Sequence, residues 1–372
     1  MENPFRYGCV VSGDHFCARE KAERDIRNFV RSGRHVFVQG ERRMGKTSLV
    51  RRGVLGVRGE RLVYIDLYYI SSRADLCRRI VEGVGRANVT MPFLKKVMAF
   101  VSRLRPALAF DPVDGSPKIT VDALAAEAPD SLDAVLMMLE KLSAGGKTCV
   151  VFDEFQDVLR LPDADSVLAE MRGKIQFQEN VPYFFLGSVR HEMWRIFNDS
   201  KSPFFKSAAA YDVGAIEAND FARFLVARFR HGRRNIAFET AHRIIDTVCG
   251  VSGDVQEFCA ALWDVTSAGK MIDEGDFLPA LEVVFMRERK GFEKAISVLT
   301  PTQCRVLFGL ARYGQVKVYG AQFLRNIGIP NAGAVRKAVK RLEDNDLIYV
   351  LDGKYRFTDS FFKEWILRVH GE

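Results

Sequence analysis

One short string limits what this chain can fold into more than any other: Gly40-Glu41-Arg42-Arg43-Met44-Gly45-Lys46-Thr47. It follows an apolar run at 35–39 (HVFVQ) and opens a segment of helical period at 46–54. GxxxxGK[ST] between a strand and a helix makes a phosphate cradle, because the loop N–H groups and the helix start both face anionic oxygens. Gly40 and Gly45 permit the tight path. Lys46 brings a point charge to the β- and γ-phosphates, and the Thr47 hydroxyl suits Mg²⁺. Residues Gly40 to Ser48 are therefore the expected nucleotide-binding segment. Arg42 and Arg43 have no fixed role in it: they pair with acids of a following domain or steer the anionic nucleotide.

Three more apolar, β-rich runs follow, at 61–67 (RLVYIDL), 148–152 (TCVVF) and 183–186 (YFFL). Such near-continuous runs suit strands covered on both faces. Helical-period segments at 72–84 and 132–142 lie between them, so the first half reads as a doubly wound α/β domain with a parallel sheet. Residues 106–120, with three prolines and DP/DG-type turns, read as an irregular insertion or hairpin.

The third of these runs ends in VVFDEFQD. Asp153 falls just past the end of a buried strand, where open α/β sheets place ligand-contacting groups, and its carboxylate suits the Mg²⁺ shell. Glu154 beside it is the candidate general base toward an attacking water. Ser188, closing YFFLGS, either presents its hydroxyl to the γ-phosphate or caps the helix at 191–197. Arg190 either reaches phosphate or is an exposed helix arginine.

Hydrophobic residues make up 48% and charged residues 27%, which excludes a wholly disordered chain. No run of 18 apolar residues suggests a membrane span, and the first residues do not read as a secretory signal. Seven cysteines, odd in number and never in CxxC spacing, argue against a disulfide scaffold or zinc ribbon and fit a reducing cytoplasm. The net charge is +8. Residues 291–372 carry 13 Lys/Arg against 8 Asp/Glu, a net of +5, so a small segment holds most of the excess.

After 216 the pattern becomes helical, at 219–230, 238–248, 255–266 and 276–289. From about 290 a new pattern starts: a helix at 300–313 opened by Thr-Pro, a short one at 320–327, and a third at 332–344 capped by Asn331. A strand pair around Asp352-Gly353 completes a winged helix-turn-helix. The expected domains are 1–216 (P-loop α/β), 217–290 (helical lid) and 291–372 (winged helix). On the third helix, Val335, Val339 and Leu342 share the core face. Arg336, Lys337, Lys340 and Arg341 then form a cationic stripe, with Lys354 and Arg356 in the wing. That stripe suits phosphate contacts in DNA, or is a solvated face of a protein-docking module.

With these motifs in order, the chain resembles the archaeal-type ATPase family, a branch of the AAA+/STAND P-loop NTPases. The opening NPFRYGCVVSGDHFCARE is similar to that family's leader, and the resemblance implies adenine-side contacts from Phe16, Arg19 and Glu20. GERRMGKTSL resembles its phosphate loop, FDEFQD its Mg²⁺/base strand, LGS ending at Ser188 its sensor-1 position, and YRFTDSFFKEWI its tail. Two departures stand out. Lys206 sits where the family commonly has an arginine after sensor 1, and Gly253-Asp254-Val255 lacks the proline of the family's lid turn. No arginine finger is assignable.

The resulting expectation is an ATP-binding, Mg²⁺-dependent ATPase switch in the cytoplasm, with DNA as the output partner and self-association open. Two alternatives remain: a nucleotide-gated protein adaptor with little turnover, and an origin-recognition-type initiator of the same domain order.

Overall fold

The computed structural model describes residues 2–17, 19–87, 107–110, 117–120, 131–144, 147–178, 181–314, 317–351 and 353–370. The chain separates into two compact units: Arg19–Gly214, and Met1–Ala18 with Ala215–Glu372.

The first unit opens with α1 (Glu20–Arg31), β1 (Val36–Gln39), α2 (Lys46–Leu55), β2 (Arg61–Asp66) and α3 (Arg73–Arg86). An antiparallel pair follows, β3 (Ala107–Phe110) and β4 (Pro117–Thr120), within the expected hairpin region; positions 106 and 111–116 lie outside the described residues. Then come α4 (Ser131–Ala144), β5 (Thr148–Asp153), α5 (Ala164–Ile175), β6 (Tyr183–Gly187), α6 (Arg190–Asn198) and β7 (Ala209–Asp212). Five parallel strands form one sheet in the order β2-β5-β6-β1-β7. This is the doubly wound P-loop NTPase arrangement that the strand–helix alternation predicts.

The order explains the sequence pattern. β5 and β6 lie in the middle and are buried at every position, hence their unbroken apolar runs. β7 is one of the two edges, and its AAYD alternates between half-buried and exposed. That strand was not legible, because a short edge strand carries no continuous run.

The core beneath β5, β6 and β1 is aromatic. Phe155 packs 4.7 Å from Phe185, and Phe197 stacks 4.6 Å from Phe37. Each fully buried ring contributes about 1.5–3 kcal/mol. This cluster anchors the turn after β5, headed by Glu154, and the helix after β6, which begins two residues beyond Ser188.

The second unit contains α7 (Ala218–His231), β8 (Asn235–Ile236), α8 (Phe238–Thr247), α9 (Ser252–Val265), β9 (Met271–Ile272) and α10 (Phe277–Ser297). It continues with α11 (Pro301–Tyr313), α12 (Ala321–Asn326), α13 (Ala332–Asp344), β10 (Ile348–Leu351), β11 (Lys354–Phe357) and α14 (Ser360–Val369). The sequence pattern between 217 and 290 is helical throughout, yet β8 and β9 pair there in parallel over two residues each. Segments that short carry no period. α10 is continuous through position 290, where the sequence pattern predicts a new segment; its exposed charges there sit on a helix whose buried face is set by Leu281, Val284, Phe285 and Phe292.

The winged-helix elements form as expected. Thr300 and Gln303 make a reciprocal capping box with Pro301 in the first turn, and the Asn331 side chain accepts from Gly333 N–H at 2.8 Å. Asp352 lies outside the described residues, while β10 and β11 pair antiparallel on either side of it. The leader packs in this unit: Phe5 lies 4.6 Å from Phe229, and Asn3 donates to the Ala260 carbonyl at 3.1 Å.

Candidate active site

β1 ends at Gln39 and α2 begins at Lys46, so the loop crosses the C-terminal edge of the sheet. Its path needs left-handed backbone at Arg43 (φ 63°) and Gly45 (φ 79°). Only glycine adopts that conformation without steric cost, which accounts for Gly45. Gly40 is required for a different reason: a Cβ there would sit 2.6 Å from the carbonyl oxygen of Val213, just after β7. Arg19 clamps the loop from outside, donating to the Met44 carbonyl at 3.0 Å.

Lys46 is 6% exposed, and its ammonium donates to the carbonyls of Gly40 (2.8 Å) and Glu41 (2.9 Å). Burial pulls its pKa down to about 8, against the pull of Glu154 and Asp153, which favour the charged form. A desolvated cation beside two carboxylates gains by acquiring phosphate charge.

Asp153 is the last residue of β5 rather than one beyond it. Its Oδ2 accepts from the Thr47 hydroxyl at 2.6 Å and from the Tyr64 hydroxyl at 2.7 Å. Burial raises the Asp153 pKa, and the two hydroxyl donors counter this by favouring the carboxylate. Glu154 follows in left-handed backbone (φ 51°) and heads a 3-10 turn, Phe155–Arg160. Its Oε2 accepts from Ser188 Oγ at 2.7 Å and from Gln156 Nε2 at 2.6 Å.

Lys46, Thr47, Asp153, Glu154 and Ser188 are thus brought together by three separate segments. Ser188 does not cap α6, whose N-cap is Val189; its hydroxyl is used on Glu154. Arg190 pairs with Asp212 at 2.6 Å and lies near enough to Lys46 to depress its pKa. Arg42 acts on Lys46 in the same sense, and both Arg42 and Arg43 are exposed. Glu41 is half-buried, Met44 and Ser48 are buried, and Glu20 is the exposed first residue of α1. Phe16 is half-buried after the Gly13–His15 turn, in the other unit.

Lys206 takes left-handed backbone (φ 52°) with its ammonium 5.2 Å from the Phe205 ring. Asp254 and Val255 are buried in the first turn of α9. Tyr64, Gln156 and Asp212 were missed from the sequence. A tyrosine in an aliphatic strand (RLVYID) is the one available signal, and nothing local marks the other two.

Among the described residues no three His, Cys, Asp or Glu side chains cluster as a metal cage. Thr47 and Asp153 offer two hard oxygen donors, which fits Mg²⁺, an ion that takes few protein ligands and completes its shell with water and phosphate.

In the second unit Val335, Val339 and Leu342 are buried on α13. Arg336, Lys337, Lys340 and Arg341 are exposed, as is Lys354, while Arg356 is half-buried. Tyr319 joins helix and wing: its ring lies 5.6 Å from the Arg336 guanidinium, and its hydroxyl bonds Tyr355 at 2.8 Å.

Comparison with known proteins defines the class. Residues 30–188 match the AAA domain family, and residues 290–368 match a family described as "probable winged helix domain". The chain is therefore a P-loop protein that joins an AAA domain to a C-terminal winged helix.

More particularly, its fold is that of a Walker-type ATPase of Pyrococcus abyssi, at TM-score 0.64 and 19% identity over 96% of this chain and 97% of the other. The ORC2 protein of Aeropyrum pernix, solved with ADPNP and ADP, matches at TM-score 0.57 and 12% identity over 98% and 97%. The ORC1 protein of the same organism, solved in complex with DNA, matches at 0.53 and 13% over 100% and 98%. No curated protein sequence matches. Among the described residues no helix is long and apolar enough to cross a membrane, and none of the cysteines is in a disulfide.

Proposed function

We propose that this chain hydrolyses ATP with Mg²⁺ and uses the nucleotide state to gate a DNA-contacting winged helix. The observation that carries the reading is the 2.6 Å bond from Thr47 to Asp153, which joins phosphate loop and acidic strand beside Lys46 and Glu154. Lys46 and the loop N–H groups hold the phosphates, and Thr47 and Asp153 hold the metal. Bound Mg²⁺ supplies charge neutralisation on the phosphate oxygens.

Glu154 accepts a proton from water as the water oxygen bonds to the γ-phosphorus. The bond from that phosphorus to the oxygen bridging it to the β-phosphorus breaks, giving ADP and inorganic phosphate. Ser188 donates to Glu154 and holds it at the site. An adenine-side contact from Arg19, which lies in the same unit as the phosphate loop, follows from the family resemblance.

The Glu154→Gln protein is expected to bind ATP as the wild type does and to lose turnover by about 10²–10⁴-fold. Undiminished hydrolysis would remove Glu154 from the mechanism.

DNA as partner is supported by the exposed cationic face of α13 and by the likeness to a protein solved on DNA. Its affinity for random duplex is expected to fall linearly with salt on a log–log scale. A protein adaptor is the second reading, favoured by Lys206, which lacks the planar fork of arginine, and by Val255, where the lid turn lacks its proline; it predicts little duplex binding at any salt. Sequence-selective binding would favour an initiator role instead.

A further inference from the structure

The geometry points to Gln156 as a positioning residue for the Glu154 carboxylate, a role that rests on the reading of Glu154 as proton acceptor. Gln156 is 3% exposed, in the turn directly after the acidic pair. Its Nε2 donates to Glu154 Oε2 at 2.6 Å, and Ser188 Oγ donates to the same oxygen at 2.7 Å. Turning the amide over would set two acceptor oxygens at that separation, so the donor end belongs on the carboxylate.

The other end of the amide shows what the residue is for. Gln156 Oε1 is buried with no hydrogen-bond partner among the described residues. A Cβ at Gly187 would lie 2.7 Å from it and 2.3 Å from Met193 Sδ, so glycine leaves room for both side chains beside β6. An unpaired buried acceptor is a standing cost to stability. Packing alone would be served better by Met, which fills a similar volume without an unpaired oxygen. The hydrogen bond that this side chain does make is the one to Glu154.

Two donors on Oε2 hold the carboxylate in one orientation. Glu154 Oε1 accepts no hydrogen bond among the described residues, which leaves it as the oxygen open to water. Removing the Gln156 donor frees the carboxylate to rotate while leaving Lys46, Thr47 and the phosphate loop untouched. Orientation of a reacting group affects turnover more than binding.

The test uses the full chain with Gln156→Met, and reads ATP turnover, MgATP affinity and melting temperature. Turnover is expected to fall about tenfold, with KM and Kd within about twofold and a melting temperature equal to or above wild type. Added to Glu154→Gln, the substitution should cost no further turnover, because it acts only through that carboxylate.

Turnover within about twofold of wild type, or a loss that multiplies with that of Glu154→Gln, would overturn the role. Gln156→Leu also removes the donor without adding a charge, so it should lose turnover to a similar extent. A lowered melting temperature in both variants would make Gln156 a structural residue and overturn the proposal. Wild-type turnover in Glu154→Gln alone, or none in the wild type, overturns the reading of Glu154 instead.

Discussion

Asp153 shows how much of a site resides in one residue's partners. Its carboxylate is buried, which by itself favours the neutral form, yet Thr47 and Tyr64 both donate to Oδ2 and favour the anion that a metal requires. Outer partners of this kind typically shift metal affinity 10–100-fold. Tyr64→Phe is therefore expected to raise the Mg²⁺ concentration for half-maximal ATP hydrolysis by about tenfold, with ATP affinity in the absence of metal unchanged. An unaltered Mg²⁺ titration would show that Tyr64 only packs. The sequence made Lys46, Thr47 and Asp153 legible because each belongs to a string whose spacing is dictated by phosphate and strand geometry. Tyr64 and Gln156 were hidden because they meet the acidic pair through sheet register and turn geometry, which no local spacing records. Ser188 lay between the two cases: its place at the end of a strand was visible, its partner was not.

At the scale of elements, the legible strands are the ones with an apolar run, including β2 at one edge, whereas β7 at the other edge is four residues of alternating exposure and has no such run. His35, just ahead of β1, ties that strand to β6: its Nδ1 accepts the Tyr183 N–H at 3.3 Å. Burial lowers the His35 pKa below its ordinary 6.5, and Arg172 adds to the effect. The folded chain thus takes up that proton less readily than the unfolded chain. Stability is expected to hold above pH 6.5 and to decline as the pH falls below it. His35→Asn keeps an acceptor and loses the titration, so its melting temperature should drop less than that of wild type between neutral and mildly acidic buffer. Equal drops would assign the acid sensitivity to other groups. Caps were the other readable feature. Asn331→Ala removes the side-chain acceptor at the start of α13 and is expected to cost about 1 kcal/mol, read as a lower melting temperature.

For the whole molecule, the proposed switch requires a ligand whose affinity differs between two states, and the γ-phosphate is the group that hydrolysis removes. The cationic face of α13 gives such a switch an output of suitable charge. All of it depends on the phosphate loop holding a nucleotide through Lys46. The most direct test is an equilibrium titration of the full chain and its Lys46→Ala variant with MgATP, with melting temperature as the control for folding. Saturable binding by the wild type, lost in a variant that remains folded, is the predicted result. Equal binding by both proteins, or none by either, would contradict the account.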